Sequence, residues 1–137
     1  FIQRIRNFNY HISNNEFDFY DMRSGVEAFC NKHFFQHKQI NNLNLIIEET
    51  LQLCLREGDV EKRNHILNST GGLELTVAFS EQTNEISIIF SADQSLKTIL
   101  NQVEDSDGLS IIIISGMAQS VVEDIKNEKV VLTMVLK

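Results

Sequence analysis

The sequence has no proline, no low-complexity tract and no internal repeat, so nothing in its 137 residues marks a linker between domains. That length suits one domain that buries roughly two thirds of its unfolded surface. No apolar run approaches the roughly 18 residues that a membrane span requires, which excludes bilayer insertion of this domain. Basic residues are few and scattered: 12 Lys and Arg against 19 Asp and Glu give a net charge of −7. A nucleic-acid backbone is repelled by such a balance, so nucleic acid is excluded as a partner. There are only two cysteines, Cys30 and Cys54, each within an apolar pattern where a reduced thiol packs well. They suit a reducing, cytoplasmic compartment rather than a disulfide framework.

What is present reads as a succession of helices and hairpins. The chain opens on Phe1, and FIQRIRN has the form of the tail of a linker helix, as though cut from something longer. FNYHI (8–12) alternates with aromatic content and predicts an edge strand. Ser24 followed by Glu27 has the form of a capping box, and Val26, Phe29, Cys30, His33 and Phe34 recur at helical spacing, predicting a helix from about Asp21 to Phe35. Asn41 and Asn42 are suited to cap a second helix, striped by Leu43, Ile46, Ile47, Leu51 and Cys54 and ended by Gly58. Residues 59–72 are polar and read as a surface loop that carries Lys62 and Arg63. Leu73, Leu75, Val77 and Phe79 alternate, EQTNE turns, and Ile86, Ile88 and Phe90 alternate again, as in a hairpin with one face in the core. SLKTILNQVEDSD reads as a loop or short helix, and SVVEDI and KVVLTMVL close the chain as a hairpin about KNEK. The fold class that follows is α+β: a two-layer sandwich with a mostly antiparallel sheet of about five strands and helices packed on one face.

The stretch GLSIIIISGMAQ admits two readings. A strand containing four isoleucines needs both faces covered, which is unusual in a sheet built of hairpins. A helix puts Leu109, Ile112, Ile113, Gly116 and Met117 on one stripe behind Asp107 as N-cap. Its β-branched residues cost roughly 1–2 kcal/mol together, and burying two of them returns about 1.5–3 kcal/mol each. Periodicity alone leaves the two even; the order of neighbouring elements favours the helix.

That order, with LNLIIEETLQLCL on a helix, FSADQSL after a hairpin strand and DGLSIIII opening a helix before the closing strands, resembles the histidine-kinase-like ATPase (Bergerat) fold, in the compact form of the anti-sigma-factor serine-protein kinases. The likeness spans about residues 41–137, and more weakly 8–40. It implies a nucleotide site from three boxes. On the first, the family's Glu polarises the attacking water and its Asn ligates Mg²⁺; Glu49 stands at the Glu position, but Leu53 stands at the Asn position and ligates nothing. A register one residue earlier pairs Glu48 with Gln52 and restores an amide. On the second, Asp93 matches the adenine-binding acid without the glycines that follow it in the family. On the third, Gly108 and Ser110 stand where Gly-x-Gly opens a phosphate-cradling helix, one glycine of two being kept.

Each of these residues also has a plainer reading. Glu49 is a residual general base or a solvated helix acid, Asp93 an adenine acceptor or a turn residue, and Gly108 a phosphate cradle or a loop-to-helix glycine. Cys30, His33 and His37 share a helical face and are of zinc-ligating type, but no fourth ligand accompanies them and phenylalanines surround them. With all three boxes damaged, the resemblance implies a regulatory protein-interaction domain with weak or no ATP binding and no resident cofactor. Its partner is then a regulator or a covalently linked domain, as in bacterial signalling or transport proteins. The alternative is a working ATP- and Mg²⁺-dependent serine-protein kinase or ATPase using Glu49, Asp93 and Gly108. A third reading is a structural or dimerising domain, forming a homodimer.

Overall fold

A computed structural model describes residues 5–13, 19–55, 61, 65, 67–68, 71–93 and 108–137. Five strands form one sheet: β1 (Ile5–Ile12), β2 (Leu73–Ser80), β3 (Glu85–Asp93), β4 (Ala118–Lys126) and β5 (Lys129–Leu136), in the order β1-β2-β3-β5-β4 with every neighbour antiparallel. The helices are α1 (Phe19–Lys32), α2 (His37–Leu55) and α3 (Gly108–Met117). The molecule is the expected α+β sandwich, and the quoted isoleucine stretch is helix as far as Met117.

Strand alternation fixes the core. Across the central strands Leu75 pairs with Phe90 and Val77 with Ile88, while Ile88 pairs with Met134 and Phe90 with Leu132, all of them buried. Because side chains alternate along a strand, these residues form one apolar face. The helices cover it. The predicted α2 stripe, Leu43, Ile46, Ile47, Leu51 and Cys54, is fully buried, and the Thr50 hydroxyl donates to Met134 Sδ at 3.7 Å, which sets α2 over β5.

The element ends differ from expectation, each for a local reason. Ile5–Asn7 belong to β1, because they pair with Ala78–Ser80, so FIQRIRN does not continue as a linker helix over those residues. Ser24 lies inside α1, not at its cap, and Glu27 accepts instead from Arg23 (3.3 Å) and from the Asn44 amide (3.4 Å). α1 ends at Lys32 rather than Phe35 in a Schellman motif: the Phe34 N–H donates to Asn31 O (3.2 Å) and the Phe35 N–H to Cys30 O (3.0 Å). Phe34 takes the left-handed position that glycine usually fills, at φ 61°. α2 begins at His37, before Asn41 and Asn42, because Gln39 Oε1 accepts the Gln36 N–H at 2.8 Å, the back-reaching half of a capping box. In the stretch expected to be a loop, Glu61, His65, Leu67 and Asn68 are helical, and Leu67 joins the core. The β4–β5 turn is the expected one, with positive φ at both Asn127 and Glu128 as a two-residue hairpin loop demands. Gly58, Lys62, Arg63, Asp107 and the 95–107 stretch lie outside the described residues.

Candidate functional site

α2 packs against α3, and the contact brings together two of the residues singled out from the sequence. The Ser110 hydroxyl, in the first turn of α3, donates to Glu49 Oε2 at 2.5 Å. Ser110 is buried and Glu49 half-buried. The first turn of a helix presents unpaired N–H groups and the positive end of its dipole, the place where an anion is best held. Here the chain's own carboxylate sits beside it. An incoming phosphate meets a charge of its own sign at that point.

The same stretch of α2 lines a cleft of about 460 Å³ with Phe19, Glu48, Glu49 and Gln52. Arg23 of α1 reaches across to Glu48 at 3.1 Å and also pairs with Glu27, so one guanidinium serves two carboxylates. Leu53 is absent from the cleft: it is 1% exposed and part of the apolar core. The amide beside the acids is Gln52, the arrangement of the earlier register, in which Glu48 and Gln52 are one turn apart. Sequence reasoning had no means of adding Phe19 and Arg23, although the i, i+4 spacing of Arg23 and Glu27 is a visible signal for their pairing.

Asp93 ends β3, exposed, opposite Lys129 of β5, and does not line the cleft with Glu49. Gly108 is exposed, and a Cβ built there meets nothing within 4 Å. Among the described residues, no close backbone approach requires glycine at that position. Leu53, which stands where the resemblance calls for an amide, is a core residue, and the first turn of α3 is shared with the Glu49 carboxylate.

Cys30, His33 and His37 do not converge. Cys30 is buried in the core, where desolvation, reinforced by the charge of Glu27, pushes its thiol up to about 12. His33 packs at a tilt against Phe29 (4.7 Å between centroids) and approaches Phe79 (6.1 Å), while His37 starts another helix and is exposed. Among the described residues, no three His, Cys, Asp or Glu side chains gather as metal ligands do. Nor does any described helix have the length and apolarity to cross a membrane. No protein-family model and no curated protein matches the sequence.

Proposed function

We propose that the chain is a regulatory protein-interaction domain on a degenerate histidine-kinase-like ATPase scaffold, with weak or no ATP binding. The observation that carries this reading is the Ser110–Glu49 hydrogen bond at the first turn of α3. It spends the carboxylate that catalysis needs and puts negative charge where phosphate is expected. Leu53 in the core supports the same conclusion, since an aliphatic side chain supplies no oxygen to Mg²⁺. The strand order and the sequence of helices and hairpins are compatible with the scaffold and supply a rigid platform for a protein partner.

A working ATPase or serine-protein kinase is the second reading, and one feature favours it: the Gln52 amide shares a cleft with Glu48 and Glu49. Isothermal titration with Mg-ATP separates the two. The interaction domain gives no saturable heat at millimolar nucleotide. Micromolar binding that Glu49→Ala or Asp93→Ala weakens retires it in favour of the enzyme.

A further inference from the structure

Gly25 lets α1 lie close over β1: a Cβ built there meets the Phe8 ring at 2.6 Å. Phe29, one turn further along α1, packs against the same ring at 6.3 Å between centroids. Arg6 stands two residues before Phe8 and so on the same face of β1. Its partner on β2, Phe79, lies 6.1 Å from His33 between ring centroids. The end of α1 is thereby set over the start of β1. Between them is a cleft of about 650 Å³, lined by Arg6, Asn7, Phe29, Lys32, His33 and Glu81. That volume lies in the roughly 300–1,000 Å³ range of small-ligand sites. The cleft shares no residue with the one formed by Phe19, Glu48, Glu49 and Gln52, so its occupancy is independent of the nucleotide question.

One wall of this cleft is braced from behind. Phe29 meets Phe35 edge-on at 6.1 Å, Phe35 meets Phe79 edge-on at 5.0 Å, and His33 leans on both Phe29 and Phe79. Four rings thus fix one another's positions. Against that wall the sign of the chain's charge is reversed. Arg6 and Lys32 bring two positive charges and Glu81 one negative, a balance of +1 in a chain of net −7. Glu81 accepts from Arg6 Nε at 3.4 Å. The two Nη groups of the guanidinium remain, the forked donors that hold an oxyanion. Among the described residues Lys32 has no carboxylate partner.

We propose that this cleft binds a small organic oxyanion, a carboxylate or a phosphate monoester carried on a ring. The anionic oxygens are held by the Arg6 Nη groups and Lys32 Nζ, and the ring lies against Phe29 and His33. Charge decides the class of ligand. A cation is repelled by Arg6 and Lys32, and an uncharged ring covers both without giving either a partner. Size follows from the same balance. The acidic surface beyond the cleft repels an extended polyanion, whereas a small anion feels chiefly the charges within a Debye length of about 8 Å.

The test is titration of the full chain with phenyl phosphate, benzoate and inorganic phosphate at fixed ionic strength, followed by amide shifts in heteronuclear NMR. At least one of the two ring anions is expected to saturate in the millimolar range or below, with shifts centred on Arg6, Lys32, His33 and Glu81. Which of them binds tells a phosphate ligand from a carboxylate one. The end of α1 favours a cation at Lys32 in any case, so the readout is ligand affinity and not stability. Arg6→Ala and Lys32→Ala are each expected to weaken binding roughly tenfold, the worth of a hydrogen bond between charged groups. Glu81→Gln removes the competing carboxylate and strengthens binding. Lys126→Ala, on the opposite edge strand β4, leaves it unchanged. No saturation by either ring anion in that range overturns the proposal. So does K126A weakening binding as much as K32A, which is diffuse electrostatics, or inorganic phosphate binding as tightly as the ring anions, which leaves the aromatic wall no part. All four substituted residues are exposed; should Arg6→Ala fail to fold by circular dichroism, the other three variants decide.

Discussion

Replacing Leu53 by asparagine restores, on paper, the amide that the resemblance calls for, and its effect depends on where that side chain points. At 1% exposure in the core cluster, Leu53 has given up essentially all its contact with water. Removing a buried leucine of this kind costs about 2–5 kcal/mol in transfer and cavity terms. Burying an amide with no partner adds about 1–3 kcal/mol. The expected loss of about 3–8 kcal/mol is a large share of the roughly 5–15 kcal/mol that stabilises a typical domain. Urea unfolding followed by circular dichroism measures it, with Gln52→Ala, a half-buried cleft position on the same helix, as the control expected to change stability by less than about 1 kcal/mol. The reasoning is refuted if Leu53→Asn lies within about 1 kcal/mol of the wild type and also gains magnesium-dependent nucleotide binding, because the side chain then faces a cleft and not the core.

Two further outcomes follow from the α1 terminus and its thiol. Phe34 is 92% exposed and holds φ 61°. A left-handed L-residue costs roughly 1–2 kcal/mol, and part of the gain on relief is offset by glycine's unfolded-state entropy, so Phe34→Gly is expected to stabilise by about 0.5–1 kcal/mol in urea unfolding while Phe34→Ala leaves stability nearly unchanged; a destabilised glycine variant contradicts the cap. Cys30 holds its proton in the folded chain up to about 12 but loses it at 9.0 when unfolded, so its contribution to stability is complete below 9.0 and declines as pH rises towards 12. Cys30→Ala should remove that part of the alkaline decline, and an unchanged slope of urea midpoint against pH in the variant counts against the assignment.

Much of the sheet was legible because one face of it is buried. Burial on one face forces period-two alternation, and the runs at Leu73–Phe79, Ile86–Phe90 and Val130–Leu136 carried it openly. The α2 stripe was legible for the same reason at helical period. Ends were not, because the capping came from unusual chemistry: a glutamine reaching back to start α2, and a phenylalanine in a glycine position to stop α1. That stop also undid the zinc-like spacing. The i, i+3, i+7 relation of Cys30, His33 and His37 presumes one continuous helix, but α1 ends at Lys32 and the left-handed turn at Phe34 sends His37 into α2. In the candidate site, Glu49 and Ser110 were each visible as residue types, but a contact across 61 residues has no local signature.

The same contact explains why part of the expected stripe of α3, Leu109, Ile112 and Gly116, is turned to the outside. An almost wholly apolar helix has no polar face to fix its rotation, so the periodicity behind the Leu109, Ile112, Ile113, Gly116 and Met117 stripe did not decide which residues turn inward. In the structure Ser110 and Ile114 are the buried positions, one helical turn apart, with Ile113 and Met117 half-buried beside them. Ser110 faces inward because its hydroxyl meets the Glu49 carboxylate, a partner worth about 1.5–3 kcal/mol for a hydrogen bond to a charged group. Successive helical residues are turned by about 100°, so seating Ser110 against α2 swings Leu109 and Ile112 outward, where each is 69% exposed. One polar contact thus sets a carboxylate at the first turn of α3 and leaves Leu109 and Ile112 exposed.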